Sequence, residues 1–112
     1  MKELKALTKK ILDFRRKRGW EKYHTAKAMA ISLVLEAGEL LELFQWTKNN
    51  RIPKNKRQEF KDELADVLYW VLLIAHDFKI DLPKALEEKI KKNRRKYPLK
   101  YNHQGKIQAV KK

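Results

Sequence analysis

Leu33-Val34-Leu35-Glu36-Ala37-Gly38-Glu39-Leu40-Leu41 is an apolar run interrupted by two acids three residues apart, and Glu63-Leu64-Ala65-Asp66-Val67-Leu68 repeats the arrangement. On a helix, i,i+3 spacing puts both carboxylates of a pair on one face. With Glu36 as reference, Met29, Leu33, Leu40 and Leu43 fall within roughly 60° of it, so Glu36 is predicted to face the core. Burying isolated carboxylates is costly unless they are paired or bind a cation. Few of the many Lys and Arg residues lie in these two segments. Four inward carboxylates on two helices therefore read as a divalent-metal site.

The composition agrees with a helical reading. In 112 residues there are three Gly and three Pro, which leaves few breakers, and Leu, Ala, Lys and Glu dominate. The length fits one domain with a modest core. Cysteine is absent, which excludes disulfides, thiol nucleophiles and zinc–thiolate sites. Ser32 and Thr25 have no base partner at recognisable spacing, which argues against nucleophilic Ser/Thr catalysis. Met1 to Lys10 lacks a signal-peptide core, and no apolar stretch is both long and uncharged enough to span a bilayer. A soluble, cytoplasmic protein with no membrane partner is expected.

The net charge of +14 invites a phosphate-rich partner. From Lys89 onward there are ten Lys/Arg residues and no acid, and Arg15-Arg16-Lys17-Arg18 forms a second basic run. A cationic end around an acidic, apolar centre suits a protein that handles a polyphosphate around a metal. The competing readings are a basic helical nucleic-acid-binding protein without catalysis, and a helical interaction module that grips another protein. The first leaves the apolar-face carboxylates unexplained, because they would repel a nucleic-acid backbone.

Four helices are predicted. The first spans Lys2 to Lys17, with Leu4, Leu7, Ile11, Leu12 and Phe14 as its stripe and Gly19 as its stop. The second starts at an N-cap Thr25 and runs to about Asn49, where Asn50-Arg51-Ile52-Pro53 breaks it. The third begins around Lys54–Gln58 and carries Phe60, Leu64, Val67, Leu68, Val71, Leu72 and Ala75 towards Phe78. The fourth runs from Pro83 to about Lys96, with Asp81 as N-cap, and ends at Tyr97-Pro98. Residues 1–98 form the helical domain, and 99–112 read as a basic, poorly ordered tail. The second helix is apolar nearly all round between Ala28 and Phe44, more than four such helices enclose, so a homo-oligomer is inferred.

Indoles accompany both acid pairs. Trp46 follows Glu39 by seven residues and is predicted on the same helical face; Trp70 follows Asp66 by four. Oxygen-only ligands without His or Cys favour Mg²⁺, with Mn²⁺ as a substitute, over zinc. The aromatic rings would supply flat surfaces for a base.

These residues resemble a known family. Glu36-x-x-Glu39 followed by Glu63-x-x-Asp66 is similar to the metal motif of the all-α NTP pyrophosphatases, the MazG-like group. Trp20-Glu21-Lys22-Tyr23-His24, Phe44-Gln45-Trp46, Asp81-Leu82 and Lys89-x-x-x-Asn93-Arg94-x-x-Tyr97-Pro98 bring it closest to the dCTP pyrophosphatase branch, over roughly residues 10–98. The resemblance implies an all-α, four-helix bundle subunit in a homodimer or homotetramer that hydrolyses a dNTP to dNMP and pyrophosphate. It implies Mg²⁺ held by Glu36, Glu39, Glu63 and Asp66, and no nucleic-acid partner is expected. Trp20 and Trp46 would border the base, with Trp70 where relatives often carry Tyr. Lys89 and Asn93, with Arg94, Lys96 and Tyr97, would receive the phosphates. His24 occupies a position shared with the family and is counted among the substrate-binding residues. Glu36 or Glu39 is the expected catalytic base. One departure bears on the base: some relatives place a base-contacting His on the first helix, where this chain has Ile11.

Overall fold

The computed structural model describes residues 2–47, 51–101 and 107–109, the last three and residues 100–101 by backbone only. Its described residues form four α-helices, two short 3₁₀ turns and two three-residue strands. The chain divides into two compact units, residues 1–79 and 80–112.

The first unit holds α1 (Lys2–Lys17), α2 (Ala26–Glu42) and α3 (Arg57–Asp77), with 3₁₀ turns at Glu21–Tyr23 and Lys54–Lys56. The bounds of α1 are those the apolar stripe predicts. Past its end the chain turns at Gly19 with φ of 64°, a conformation that an L side chain rarely adopts. Thr25 caps α2 as expected, its Oγ1 accepting the Ala28 N–H at 3.1 Å. Helix α3 packs against both α2 and α1, and most extensively against α2. Met29 of α2 and Leu72, Leu73 and Ala75 of α3 form the buried centre. Fully burying a side chain such as Met29 or Leu73 contributes about 1.5–3 kcal/mol.

One helix end differs from the sequence reading. Helix α2 ends at Glu42 instead of about Asn49. Leu43, Phe44 and Gln45 donate to the carbonyls three residues back, a tightening that takes up the orphan carbonyls of the last turn. Phe44 thereby turns edge-on to Phe60 of α3, ring centroids 5.9 Å apart, and the Thr47 hydroxyl donates to the Phe44 carbonyl at 3.0 Å. Packing of Phe44 wins over continued helix. The expected boundary at Asn49–Asn50 lies outside the described residues. Along α2, Val34, Leu35 and Leu41 are 69 %, 61 % and 70 % exposed in the single chain.

The second unit contains α4 (Leu82–Lys96), β1 (Leu99–Tyr101) and β2 (Ile107–Ala109). Asp81 accepts the Lys84 N–H at 3.2 Å, the cap the sequence predicts, with Pro83 in the first turn. Arg94, Arg95 and Lys96 fill the last turn, where cations complement the helix dipole. Where the sequence shows only a polar tail, β1 and β2 pair antiparallel, Leu99 opposite Ala109, Lys100 opposite Gln108 and Tyr101 opposite Ile107. Among the described residues no helix is long and apolar enough to cross a membrane.

Candidate functional site

Helices α2 and α3 bring Glu36, Glu39 and Glu63 together, so that one carboxylate oxygen of each lies within 4.8 Å of the others. Glu36 and Glu63 are half-buried and Glu39 is exposed. Asp66 stands one turn beyond Glu63, is exposed, and lines the adjoining pocket rather than joining the triplet. Three carboxylates this close raise one another's proton affinity. Burial, then the carboxyls of Glu63 and Glu39 and the charge of Asp66, push Glu36 up to about 7. For Glu63 the contact with Glu36 pulls downward, but burial with Glu39 and Asp66 leaves it raised on balance.

Glu36 Oε2 and Glu63 Oε2 are buried and have no hydrogen-bond partner among the described residues. Orphaned, mutually repelling carboxylate oxygens are an expensive arrangement for an empty protein and a suitable donor set for a hard divalent cation. The residues present therefore fit such an ion. Glu36, Glu39 and Glu63 would hold it, with Asp66 beside them.

A pocket of about 550 Å³ opens next to this cluster, lined by Glu36, Asp66, Trp20, His24 and Trp70 together with Lys10, Ile11, Phe14 and Tyr69. Three helices and the 3₁₀ segment thus bring five predicted site residues around one space. The rings interlock edge-on: Phe14 with Trp20 at 5.6 Å, His24 with Trp70 at 5.2 Å, and Tyr69 with Trp70 at 5.0 Å between centroids. Arg18 stacks its guanidinium 3.6 Å from the Phe14 ring centroid. His24 is held below its ordinary value by burial and by the charge of Arg15, so its imidazole is neutral at physiological pH.

Behind the aromatic wall, Arg15 is 7 % exposed and makes a bidentate ion pair with Asp77, both hydrogen bonds 3.0 Å. The Arg15 carbonyl also accepts the Trp20 N–H at 3.2 Å. This pair ties the end of α1 to the end of α3 and fixes where the chain enters the pocket wall.

Trp46 does not reach the pocket. Its predicted face requires α2 to continue past Glu42; it lies instead in the turn beyond, 87 % exposed. Lys89, Asn93, Arg94 and Lys96 are exposed on α4, and Tyr97 is its half-buried C-cap, all within the second unit. Lys89 and Asn93 share a face of α4 at i,i+4. The Lys96 ammonium lies 5.4 Å from the Tyr97 ring centroid.

Lys10 and Tyr69 are not among the residues the sequence singles out, and Phe14 is read there only as part of the apolar stripe of α1. A signal was present: Lys10 and Phe14 are i,i+4 on α1, and Tyr69 follows Asp66 by three residues.

Residues 31–109 match the model of the MazG-like family. The chain is 36 % identical over 92 residues to dCTP pyrophosphatase 1 of Mus musculus and 38 % identical over 91 residues to dCTP pyrophosphatase 1 of Homo sapiens. These matches cover 78 % and 77 % of this chain and 54 % of each relative, so the chain spans about half the length of those relatives. The crystal structure of a pyrophosphatase from Archaeoglobus fulgidus is similar with a TM-score of 0.81 and 38 % identity, over 86 % of this chain and 93 % of that one.

Proposed function

The chain belongs to the MazG-like family, and on that basis we propose that it is a Mg²⁺-dependent nucleoside triphosphate pyrophosphohydrolase, converting a dNTP to dNMP and pyrophosphate. Support comes from one observation above all: a carboxylate triplet with orphaned oxygens adjoins an aromatic-walled pocket of about 550 Å³. Cation and base sites side by side match the two ends of a metal-bound nucleotide.

Glu36, Glu39, Glu63 and Asp66 would hold Mg²⁺, with Mn²⁺ as a substitute. When bound, the ion neutralises phosphate charge and draws electron density from phosphorus. The chain's own residues do the rest. Trp20, Trp70 and His24 bind and orient the base, which fixes the α-phosphorus beside the carboxylates. A water molecule attacks that phosphorus, Glu36 or Glu39 takes its proton, and pyrophosphate leaves. Lys89, Asn93, Arg94, Lys96 and Tyr97 would receive the phosphates, and Trp46 would border the base. The exposed apolar side of α2 is covered by a second copy, giving a homodimer or homotetramer. A pyrimidine dNTP, dCTP or a modified form, is the favoured substrate, and the role is housekeeping of the cytoplasmic nucleotide pool.

The test is pyrophosphate release from a panel of canonical and modified dNTPs and NTPs, with and without Mg²⁺. Release from none ends the enzymatic reading. Activity retained in Glu63→Ala ends the assignment of the site.

A further inference from the structure

Tyr69 carries a hydroxyl that is buried and has no hydrogen-bond partner among the described residues, although its ring lines the pocket. The ring itself is fixed. It stands edge-on to Phe14 at 6.4 Å and to Trp70 at 5.0 Å, one ring from α1 and one from its own helix. A phenol clamped in this way cannot swing its oxygen to water without breaking both contacts. Leaving a buried hydroxyl unpaired costs about 1–3 kcal/mol. His24, across the same pocket, has the same defect: its Nδ1 is buried and unpartnered. Besides Glu36 Oε2 of the carboxylate cluster, the residues lining the pocket therefore carry two unpaired polar atoms, one on Tyr69 and one on His24.

Burial raises the phenol above its ordinary value, against the opposing charges of Arg15 and Arg18, so it stays protonated and has a hydrogen to donate. The natural acceptor in a flat aromatic pocket is a carbonyl oxygen on a base. A site that owes a hydrogen bond rejects ligands that cannot make it far more strongly than an apolar site rejects a change of shape.

We propose that Tyr69 is a specificity-determining residue: its hydroxyl donates to a carbonyl oxygen of the bound nucleobase, with the unpaired His24 Nδ1 reading the neighbouring position on the same edge. This inference rests on the proposed nucleotide substrate.

Tyr69→Phe keeps the ring and both edge-on contacts and removes only the donor. Wild type and variant are compared for kcat and KM on dCTP, dTTP, dATP and dGTP, and for binding of the four dNMPs by quenching of tryptophan fluorescence. For the preferred base, KM and the dNMP dissociation constant should rise about tenfold while kcat changes less than about twofold. The poorest base should be nearly unaffected, so discrimination between the two collapses. Because the hydroxyl is unpaired in the free protein, thermal stability should be equal or slightly higher; a purely structural hydroxyl would lower it. Discrimination unchanged within twofold, or a loss shared equally by all four bases, overturns the proposal. A wild type that hydrolyses no nucleotide but binds dNMPs selectively fails the catalytic reading alone, and the binding series then decides for or against Tyr69. A wild type that neither binds nor hydrolyses any of them overturns both.

Discussion

Replacing Glu63 by Gln should make the metal-free protein more stable and the metal-loaded protein relatively less so. Glu63 faces Glu36 and Glu39 with carboxylate oxygens within 4.8 Å. Two unit charges at that separation repel by about 1 kcal/mol at the dielectric constant of water, and by more as the local dielectric falls. Because the cluster adjoins an open pocket, the lower figure is the one to carry. Removing one charge from two such pairs relieves about 2 kcal/mol at pH 8, above the value of about 7 for Glu36. The amide keeps the shape and can donate to a Glu36 oxygen that has no partner. For a domain of this size the melting temperature in EDTA should rise by roughly 8 °C. With Mg²⁺ at 100 times its dissociation constant the wild type gains about 2.7 kcal/mol, and the variant, with one ligand charge fewer, gains much less. The order of the two melting curves should therefore close or reverse on adding Mg²⁺. Circular dichroism melts in EDTA and in Mg²⁺ read this directly. A variant that melts at or below wild type in EDTA would show that the triplet is not under electrostatic strain. An unchanged Mg²⁺ shift in Glu63→Gln would show that the ion binds elsewhere.

The same cluster gives metal-free wild type an unusual pH profile. Glu36 binds its proton more tightly folded, at about 7, than unfolded, at 4.5, so stability should rise as pH falls from 8.5 through 7 towards 5, and Mg²⁺ should abolish the rise. Asp77 acts in the opposite sense: its hydrogen bond from Arg15 holds it below 3.8, so its contribution is complete above about pH 4 and is lost as pH falls further, and acid unfolding should set in there. Asp77→Asn, which leaves the buried Arg15 without its charge partner, should cost about 3 kcal/mol in urea denaturation, the low end for a buried pair because Asp77 is 27 % exposed; a loss under 1 kcal/mol would contradict the clamp. Trp70→Ala removes a stacking wall and should weaken nucleotide binding by about 1–3 kcal/mol, seen as a raised KM with kcat nearly unchanged; an unaltered KM would remove Trp70 from the base site.

What could be read from residues alone was whatever local periodicity and capping chemistry decide. The bounds of α1, the Thr25 and Asp81 caps, and the shared face of Glu36 and Glu39 follow from i,i+3 and i,i+4 geometry plus a few side-chain oxygens, and the cost of burying acids singly is what points Glu63 of α3 toward them. The end of α2 does not follow in this way. No Gly or Pro marks it, and the deciding contact, Phe44 on Phe60, joins residues that only tertiary packing brings together. That single misplacement carried Trp46 onto the wrong face. Asp66, one helical turn beyond Glu63, lines the pocket that adjoins the triplet. Lys10, Phe14 and Tyr69 were hidden because their types suit an ordinary amphipathic helix, and only the crossing of α1 over α3 turns them into a lining.

The opposition between a basic chain and an acidic site has a physical consequence. A net charge of +14 lowers the cost of gathering carboxylates, but exposed charges act only over about a Debye length, about 8 Å at physiological ionic strength. Distant lysines therefore speed the approach of a polyanion and do little to relieve the triplet. Relief must come from something at the cluster itself, and Lys10 is the one lysine or arginine among the residues lining the pocket. No hydrogen bond reaches the buried Oε2 atoms of Glu36 and Glu63 from the described residues, so the local imbalance persists in the protein alone. A cation small enough to enter the triplet removes it, and a nucleotide that arrives with its own magnesium supplies the counter-charge and the base together. On the proposed reading, attraction at long range and acidity at short range would select the same ligand, a metal-bound triphosphate, over the bare nucleic-acid backbone that the total charge alone would favour.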